Sequence, residues 1–168
     1  MQEYIDGVLS GDITAGRAVR LAVKRHVADL KDAGARGYYF DEDAAADAIM
    51  FIEACCKHTR NSVGANAGDP LILTPSQRFI TWCVFGWRRK SNCRRLFEKA
   101  HIEVARKWGK STFASAVALL LLAFDWPIEP TAEIYTAATK ESQARIVFDE
   151  ACRMVRRSPS PRKRSKVL

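Results

Sequence analysis

Between His101 and Phe124 the chain reads HIEVARKWGKSTFASAVALLLLAF, and Gly109-Lys110-Ser111-Thr112 sets a glycine, an ammonium and two hydroxyls side by side before an apolar run. A tight basic turn, Arg106 to Gly109, stands between a short apolar segment and a helix expected to begin at Lys110. The order strand, turn, helix aims backbone N–H groups and the positive end of a helix dipole at one point, where a triphosphate also meets a lysine. Lys110 would reach the β and γ phosphates, and the Ser111 hydroxyl would hold Mg²⁺. The general phosphate-loop pattern also asks for a glycine five residues ahead of Gly109, and Val104 stands there, so the motif is half met. On these four residues alone, GKST serves equally well as the cap of a basic helix.

For such a turn to work, the chain must supply a strand before it, a helix after it and cover for both. The apolar entry runs from Phe97 to Ala105, with the strand centred on Ile102 to Ala105. After the turn, Phe113, Val117, Leu120, Leu121 and Phe124 sit among Ala114, Ser115, Ala116 and Ala118. A helix apolar on so many sides expects cover on most of them, as against a sheet. Asp125 to Pro130, with two prolines, closes it. Ile134-Tyr135-Thr136 suits a second strand, and Thr139 can cap a helix from Lys140 to Arg156 whose stripe is Ala144, Val147, Phe148, Ala151 and Val155. Two strands joined through a helix predict a right-handed βαβ unit. The expected fold class is α/β: a helical lead-in followed by the first βαβ unit of an incomplete phosphate-loop NTPase domain.

The lead-in is mostly helical. Tyr4, Ile5 and Val8 mark a short arm over Met1 to Gly11. From Thr14, Val19, Val23, Val27 and Leu30 recur near helical spacing with Arg17, Arg20, Lys24 and Arg25 off that stripe, which predicts an amphipathic helix ending near Gly34. Gly34 to Phe40 is a turn with three aromatics. Asp41 stands where an N-cap belongs, Glu42 and Asp43 follow in the first turn, and Ala45, Ala48, Ile49, Ile52 and Cys56 form the buried face of a helix ending before His58. Asn61 to Pro70 predicts an exposed loop. Thr74-Pro75-Ser76-Gln77 spells a capping box with proline at the first helical position, and Phe79, Ile80, Cys83 and Val84 continue the buried face. Gly86 to Arg95 is a basic turn flanked by Trp82 and Trp87, which suits either base stacking with phosphate grip or core tryptophans beside a solvated loop.

With 168 residues, 48% of them hydrophobic, the chain can build one domain with a core. Its net charge of +8 is uneven: between Trp87 and Lys110 a run of arginines and lysines meets only Glu98 and Glu103, and no acid follows Glu150. Fields of this sign attract phosphate, as nucleotide or polynucleotide, while solvation of helix faces is the other role open to each side chain. Cys55, Cys56, Cys83, Cys93 and Cys152 show neither a CxxC nor the spacing of a disulfide framework and read as reduced, partly buried thiols. No basic-then-apolar leader opens the chain, and its longest apolar run, Ala116 to Phe124, is about half a membrane helix, so a cytoplasmic, reducing compartment without membrane contact is expected.

Six segments, taken in order, are together more specific than any alone: YIDGVLSG from Tyr4, HVADL from His26, LTPSQRFITWCVFGW from Leu73, RRLF from Arg94, IEVARKWGKST from Ile102 and IYTAATKESQARIVF from Ile134. In this order they resemble the phage large terminase subunits of the HK97-like branch, ATP-driven motors that package DNA into proheads. In that family the missing first glycine of the loop is usual. The resemblance implies Lys110 and Arg106 as the catalytic pair, Arg106 stabilising the γ-phosphate. Gln77, Arg106, Lys107, Trp108, Gly109, Lys110, Ser111 and Thr112 would contact the nucleotide, with Gln77 reading the adenine and Ser111 holding the metal. Ala138-Thr139 and Gln143 match a segment after the second strand to which no individual role is assigned. Trp108 takes a position more often small or polar. The implied cofactors are ATP and Mg²⁺. The implied partners are double-stranded DNA, the terminase small subunit, the portal protein and further copies in a homo-oligomeric ring, in the cytoplasm of a bacterial host.

The same resemblance divides the chain into 1–96, the mostly helical part with the adenine-side motif, 97–157, the phosphate-loop βαβ segment, and 158–168, a basic tail at an expected truncation point. Hydrolysis in the family needs an apolar strand ending in Asp-Glu. Asp149-Glu150 lies instead within an amphipathic helical pattern. The coupling motif and nuclease domain are also expected beyond Leu168. The expectation is therefore a motor fragment that binds ATP to drive DNA translocation and hydrolyses it negligibly alone, while the parent protein is an ATPase and endonuclease. Two other classes remain open. One is a basic nucleic-acid-binding or assembly module with no enzymatic activity. The other, a small phosphate-loop kinase or GTPase, is disfavoured because the loop begins near residue 104 and no guanine-reading motif follows it.

Overall fold

The computed structural model of the chain describes residues 1–62, 64–124 and 132–158. Two compact units divide it, Met1–Ile49 with Leu73–Ala100, and Met50–Ile72 with His101–Leu168. Its elements in chain order are α1 (Gln2–Ser10), α2 (Arg17–Asp32), a 3-10 turn (Ala33–Arg36), β1 (Tyr38–Phe40), α3 (Glu42–Cys55), α4 (Pro75–Gly86), β2 (Trp87–Arg89), α5 (Lys110–Ala123) and α6 (Glu141–Arg157). The class is mixed: mostly helical, with one small sheet.

In the first unit the apolar faces of three helices meet. Ile5 and Val8 of α1, Val23 of α2 and Phe79 of α4 form a buried cluster flanked by Tyr4, Ile13, Val27 and Cys83. Full burial of each such side chain contributes roughly 1.5–3 kcal/mol, so helices as short as α1 are held by packing rather than by propensity. The sheet closes the other side. β1 pairs antiparallel with β2, in register Tyr38↔Arg89, Tyr39↔Arg88 and Phe40↔Trp87. Gly86 makes that closure possible: a Cβ there would lie 2.5 Å from the Phe40 ring and 2.9 Å from the Ala45 Cβ. Asp41 caps α3 as expected, its Oδ1 accepting the Ala44 N–H at 2.9 Å.

The basic turn from Gly86 is resolved toward the interior. Trp87 is fully buried, and its Nε1–H donates to His26 Nδ1 at 3.1 Å within a ring cluster that includes Phe40 and Phe79. Arg88 is buried as well and donates to the Cys93 carbonyl at 3.0 Å. Trp87 is therefore a core residue and presents no face on which a base could stack.

In the second unit α5 packs along α6, burying Phe113, Ala116, Leu119, Leu120, Met154 and Val155. Phe51 stacks on Phe124, with centroids 5.2 Å apart. Most of the described residues between Asn61 and Pro70 are exposed, and the stem is closed by His58 N–H to Asp69 O and Leu71 N–H to Cys56 O.

Several expectations are corrected here. Neither Ile102–Ala105 nor Ile134–Thr136 is a strand; no hydrogen-bonded ladder reaches either, and Ile102, Ile134 and Tyr135 are exposed. β suitability needs a paired neighbour to become a strand, and among the described residues none lies alongside these segments. The cover of α5 accordingly includes α6 rather than a sheet. Helix α6 starts at Glu141 with Lys140 as its N-cap and no side-chain capping bond; the Thr139 hydroxyl reaches the Gln143 side chain instead. Phe148, expected on the buried stripe, is exposed, and Glu150 is buried in its place. The helix stop over Asp125 to Pro130 and the basic tail after Ser158 lie outside the described residues.

Candidate functional site

The residues singled out for chemistry occupy the turn into α5. Arg106 to Trp108 form a turn in which Lys107 has φ 68°, and Gly109, at φ 88°, is the N-cap of α5. A left-handed backbone at this point costs a residue with a Cβ about 1–2 kcal/mol, which is what glycine avoids. Gly109 also has no side chain with which to cap the helix, and α5 carries no acid in its first turn. The Gly109 carbonyl accepts the Phe113 N–H at 2.9 Å, so the ladder begins there. The amides of Lys110, Ser111 and Thr112 are left with no acceptor among the described residues.

Three cations stand beside those amides in the chain. Arg106, Lys107 and Lys110 are exposed, and none makes an ion pair or hydrogen bond among the described residues. Elsewhere the chain spends such groups: Arg89 closes on Glu98 at 2.6 Å, and Arg153 on Glu150 at 3.1 Å. Unspent amides, a helix dipole and uncommitted cations at one turn are the chemistry that an anion site requires.

What holds the turn is visible too. Trp108 packs edge-on against Phe113 of the first helical turn, with centroids 5.6 Å apart at 86°, so the large residue at an unusual position braces the loop against its own helix. Ser115 is fully buried, and its hydroxyl lies 2.8 Å from both the Ser111 and Val147 carbonyls, sharing its one hydrogen between α5 and α6. Helix α6 is anchored in turn by Glu150, which accepts from Thr59 Oγ1 at 2.5 Å and from Arg153. Ser115, Thr59 and Glu150 carry no local signature of these ties, because the bonds that join α5 to α6 and Thr59 to Glu150 span 32 and 91 residues.

The donor set fits a triphosphate, which accepts hydrogen bonds and is anionic. For Mg²⁺ the protein offers the half-buried Ser111 hydroxyl, which makes no hydrogen bond among the described residues. One hydroxyl suits a metal that keeps several waters and takes phosphate oxygens as its other ligands. Asp149-Glu150 lies inside α6, with Glu150 committed to Thr59 and Arg153. Gln77 belongs to the first unit: it is buried at the start of α4, its Oε1 accepting the Thr74 N–H at 3.0 Å while its own N–H donates to Thr74 Oγ1.

A family model, terminase large subunit, ATPase domain, matches residues 75–168. The chain belongs to this family. The matched stretch opens at the first residue of α4 and takes in Gln77, the Arg106–Thr112 turn, α5 and α6, while α1, α2 and β1 lie outside it. No curated protein and no solved structure matches the chain. Membership of a terminase ATPase family implies nucleotide use and points to a component of a DNA-packaging motor. No described helix is long and apolar enough to cross a membrane.

Proposed function

We propose that this chain carries the nucleotide-gripping element of a viral DNA-packaging motor subunit of the HK97-like branch, binding ATP with Mg²⁺ at the Arg106–Thr112 turn. One observation carries the reading: α5 begins on an uncapped glycine, with three unspent amides and three uncommitted cations around it. In this reading Lys110 holds the β and γ phosphates, Ser111 the metal, and Arg106 the γ-phosphate, with Lys107, Trp108, Gly109 and Thr112 shaping the turn. Gln77 reads the adenine, its amide held in orientation by the capping box. Bound Mg²⁺ supplies charge neutralisation at the phosphate oxygens.

The segments Ile102–Ala105 and Ile134–Thr136 become the parallel strands flanking α5 once neighbouring strands are supplied; their exposed isoleucines and Tyr135 mark faces a sheet would cover. Hydrolysis by this chain alone is negligible, because phosphoryl transfer needs an activated in-line water and the acidic pair nearest in type, Asp149-Glu150, is bound into a helix. In the assembled motor the nucleotide cycle drives double-stranded DNA, with the small subunit, the portal protein and further copies as partners in the host cytoplasm.

Calorimetry on folded wild-type chain with Mg-ATP is expected to show saturable heat that Lys110→Ala abolishes. Gln77→Ala is expected to reduce the preference for ATP over GTP. A silent titration of well-folded wild type ends the reading and leaves the basic assembly module standing.

A further inference from the structure

The charges of α2 are sorted by face. Arg17, Arg20, Lys24 and Lys31 recur at steps of three, four and seven residues, so they line one side of the helix, with the exposed Ala28 between the last two. Arg25 stands about 100° round the helix from Lys24. It closes on Asp29 at 3.3 Å, and Arg36, beyond the helix, closes on Asp29 at 2.5 Å and Asp32 at 2.7 Å. Both acids of α2 are thus consumed off the line. The four cations on it are exposed and make no ion pair or hydrogen bond among the described residues. What results is a straight row of unneutralised charge along about 21 Å of helix.

We propose that this row is a docking surface for the phosphate backbone of double-stranded nucleic acid. A membrane-surface helix must offer an apolar face to lipid; that of α2, Val23 with Val27 and His26, is packed into the unit's interior, and its two exposed leucines, Leu21 and Leu30, stand about 180° apart round the helix and form no common face. Single strands are held by exposed aromatic platforms, and α2 carries none. A linear row of flexible cations suits a duplex, whose phosphates repeat about every 1.7 Å of axis, and positions it without reading sequence. The row lies outside residues 75–168 and uses no part of the phosphate loop, so the inference is independent of the nucleotide reading.

The test is the salt dependence of binding, by fluorescence anisotropy, of the full chain to a labelled duplex of about 30 base pairs between about 50 and 200 mM KCl. Replacing Arg17, Arg20, Lys24 and Lys31 together by glutamine is expected to flatten the log–log slope by about 3 to 4, and each single replacement by about 0.9. Glutamine preserves helix propensity, and circular dichroism checks the fold. A matched variant carrying Lys140→Gln, Arg145→Gln, Arg156→Gln and Arg157→Gln removes the same formal charge and is expected to change the slope by less than about 1. Equal slopes for the two fourfold variants, absence of duplex binding by wild type, or equal affinity for a single strand would each overturn the proposal.

Discussion

Two helix starts in this chain solve the same problem in opposite ways. At α4 the leading amides are nearly all accounted for internally: Thr74 Oγ1 accepts the Gln77 N–H, the Gln77 side chain accepts the Thr74 N–H, and Pro75 has no N–H to satisfy, which leaves the Ser76 N–H as the one leading amide without an acceptor among the described residues. At α5 the cap is a glycine with nothing to offer, the first turn holds no acid, and exposed lysines and an arginine stand next in the chain to amides that have no acceptor among the described residues. The first start is closed and serves stability. The second is open, and its donors are satisfied by solvent or by an anion from outside. A lysine and a serine after a glycine are therefore informative only when the helix they begin lacks a cap of its own.

The largest effect should come from closing the open start. Gly109→Asp places a carboxylate among the amides in a backbone conformation that aspartate tolerates, so Mg-ATP affinity should fall at least about a hundredfold, roughly 2.7 kcal/mol. The melting temperature should move by less than about 3 °C, which separates a lost site from a lost fold.

Acid should act on the closed region next. His26 is buried and accepts the Trp87 N–H on Nδ1, so burial holds its pKa below the ordinary value, partly offset by the charge of Asp29. A histidine kept neutral in the folded state contributes stability that is complete above about pH 6.5 and is lost as pH falls below it, because the unfolded chain then binds the proton more readily. Denaturant titrations should show stability declining below that pH by no more than about 1.4 kcal/mol per unit. Trp87→Phe, which removes the opposing N–H, should make the decline shallower. The buried Cys56 thiol and the half-buried Cys83 thiol, each pushed up to about 12 by desolvation, stay neutral through this range and add nothing to it.

The smallest effect belongs to the cap itself. Thr74→Ala should cost about 1 kcal/mol, seen as a fall of about 2–4 °C in a thermal melt. Heat of Mg-ATP binding per folded molecule should be unchanged. A large loss of binding on Thr74→Ala would mean that the two starts are not separable in function.

What the sequence made legible was local. The Asp41 cap, the Thr74–Gln77 box and the start of α5 at Lys110 depend on residues within four positions of one another, and each is found where expected. Arg88 read as part of a solvated turn, and Trp87 as either a stacking platform or a core residue, because their partners, His26 and the β1 residues Tyr39 and Phe40, lie far back in the chain. Glu150 read only as one half of an acidic pair within an amphipathic helix, because nothing nearby announces Thr59. The segments at Ile102 and Ile134 have strand-forming residues, yet a strand is a property of two segments and cannot be read from one. The row on α2 was half visible: its arginines and lysine stood off the apolar stripe, but only the ion pairs at Asp29 and Asp32 separate Arg25 from the rest.

The most direct measurement is amide hydrogen exchange at Lys110, Ser111 and Thr112 in the folded chain, with and without saturating Mg-ATP. Nucleotide should slow these three amides at least about tenfold while the Gln77 amide, already bonded to Thr74, keeps its rate. Unchanged exchange at all three, with the protein folded and nucleotide in excess, would contradict the claim that α5 begins as an open anion site.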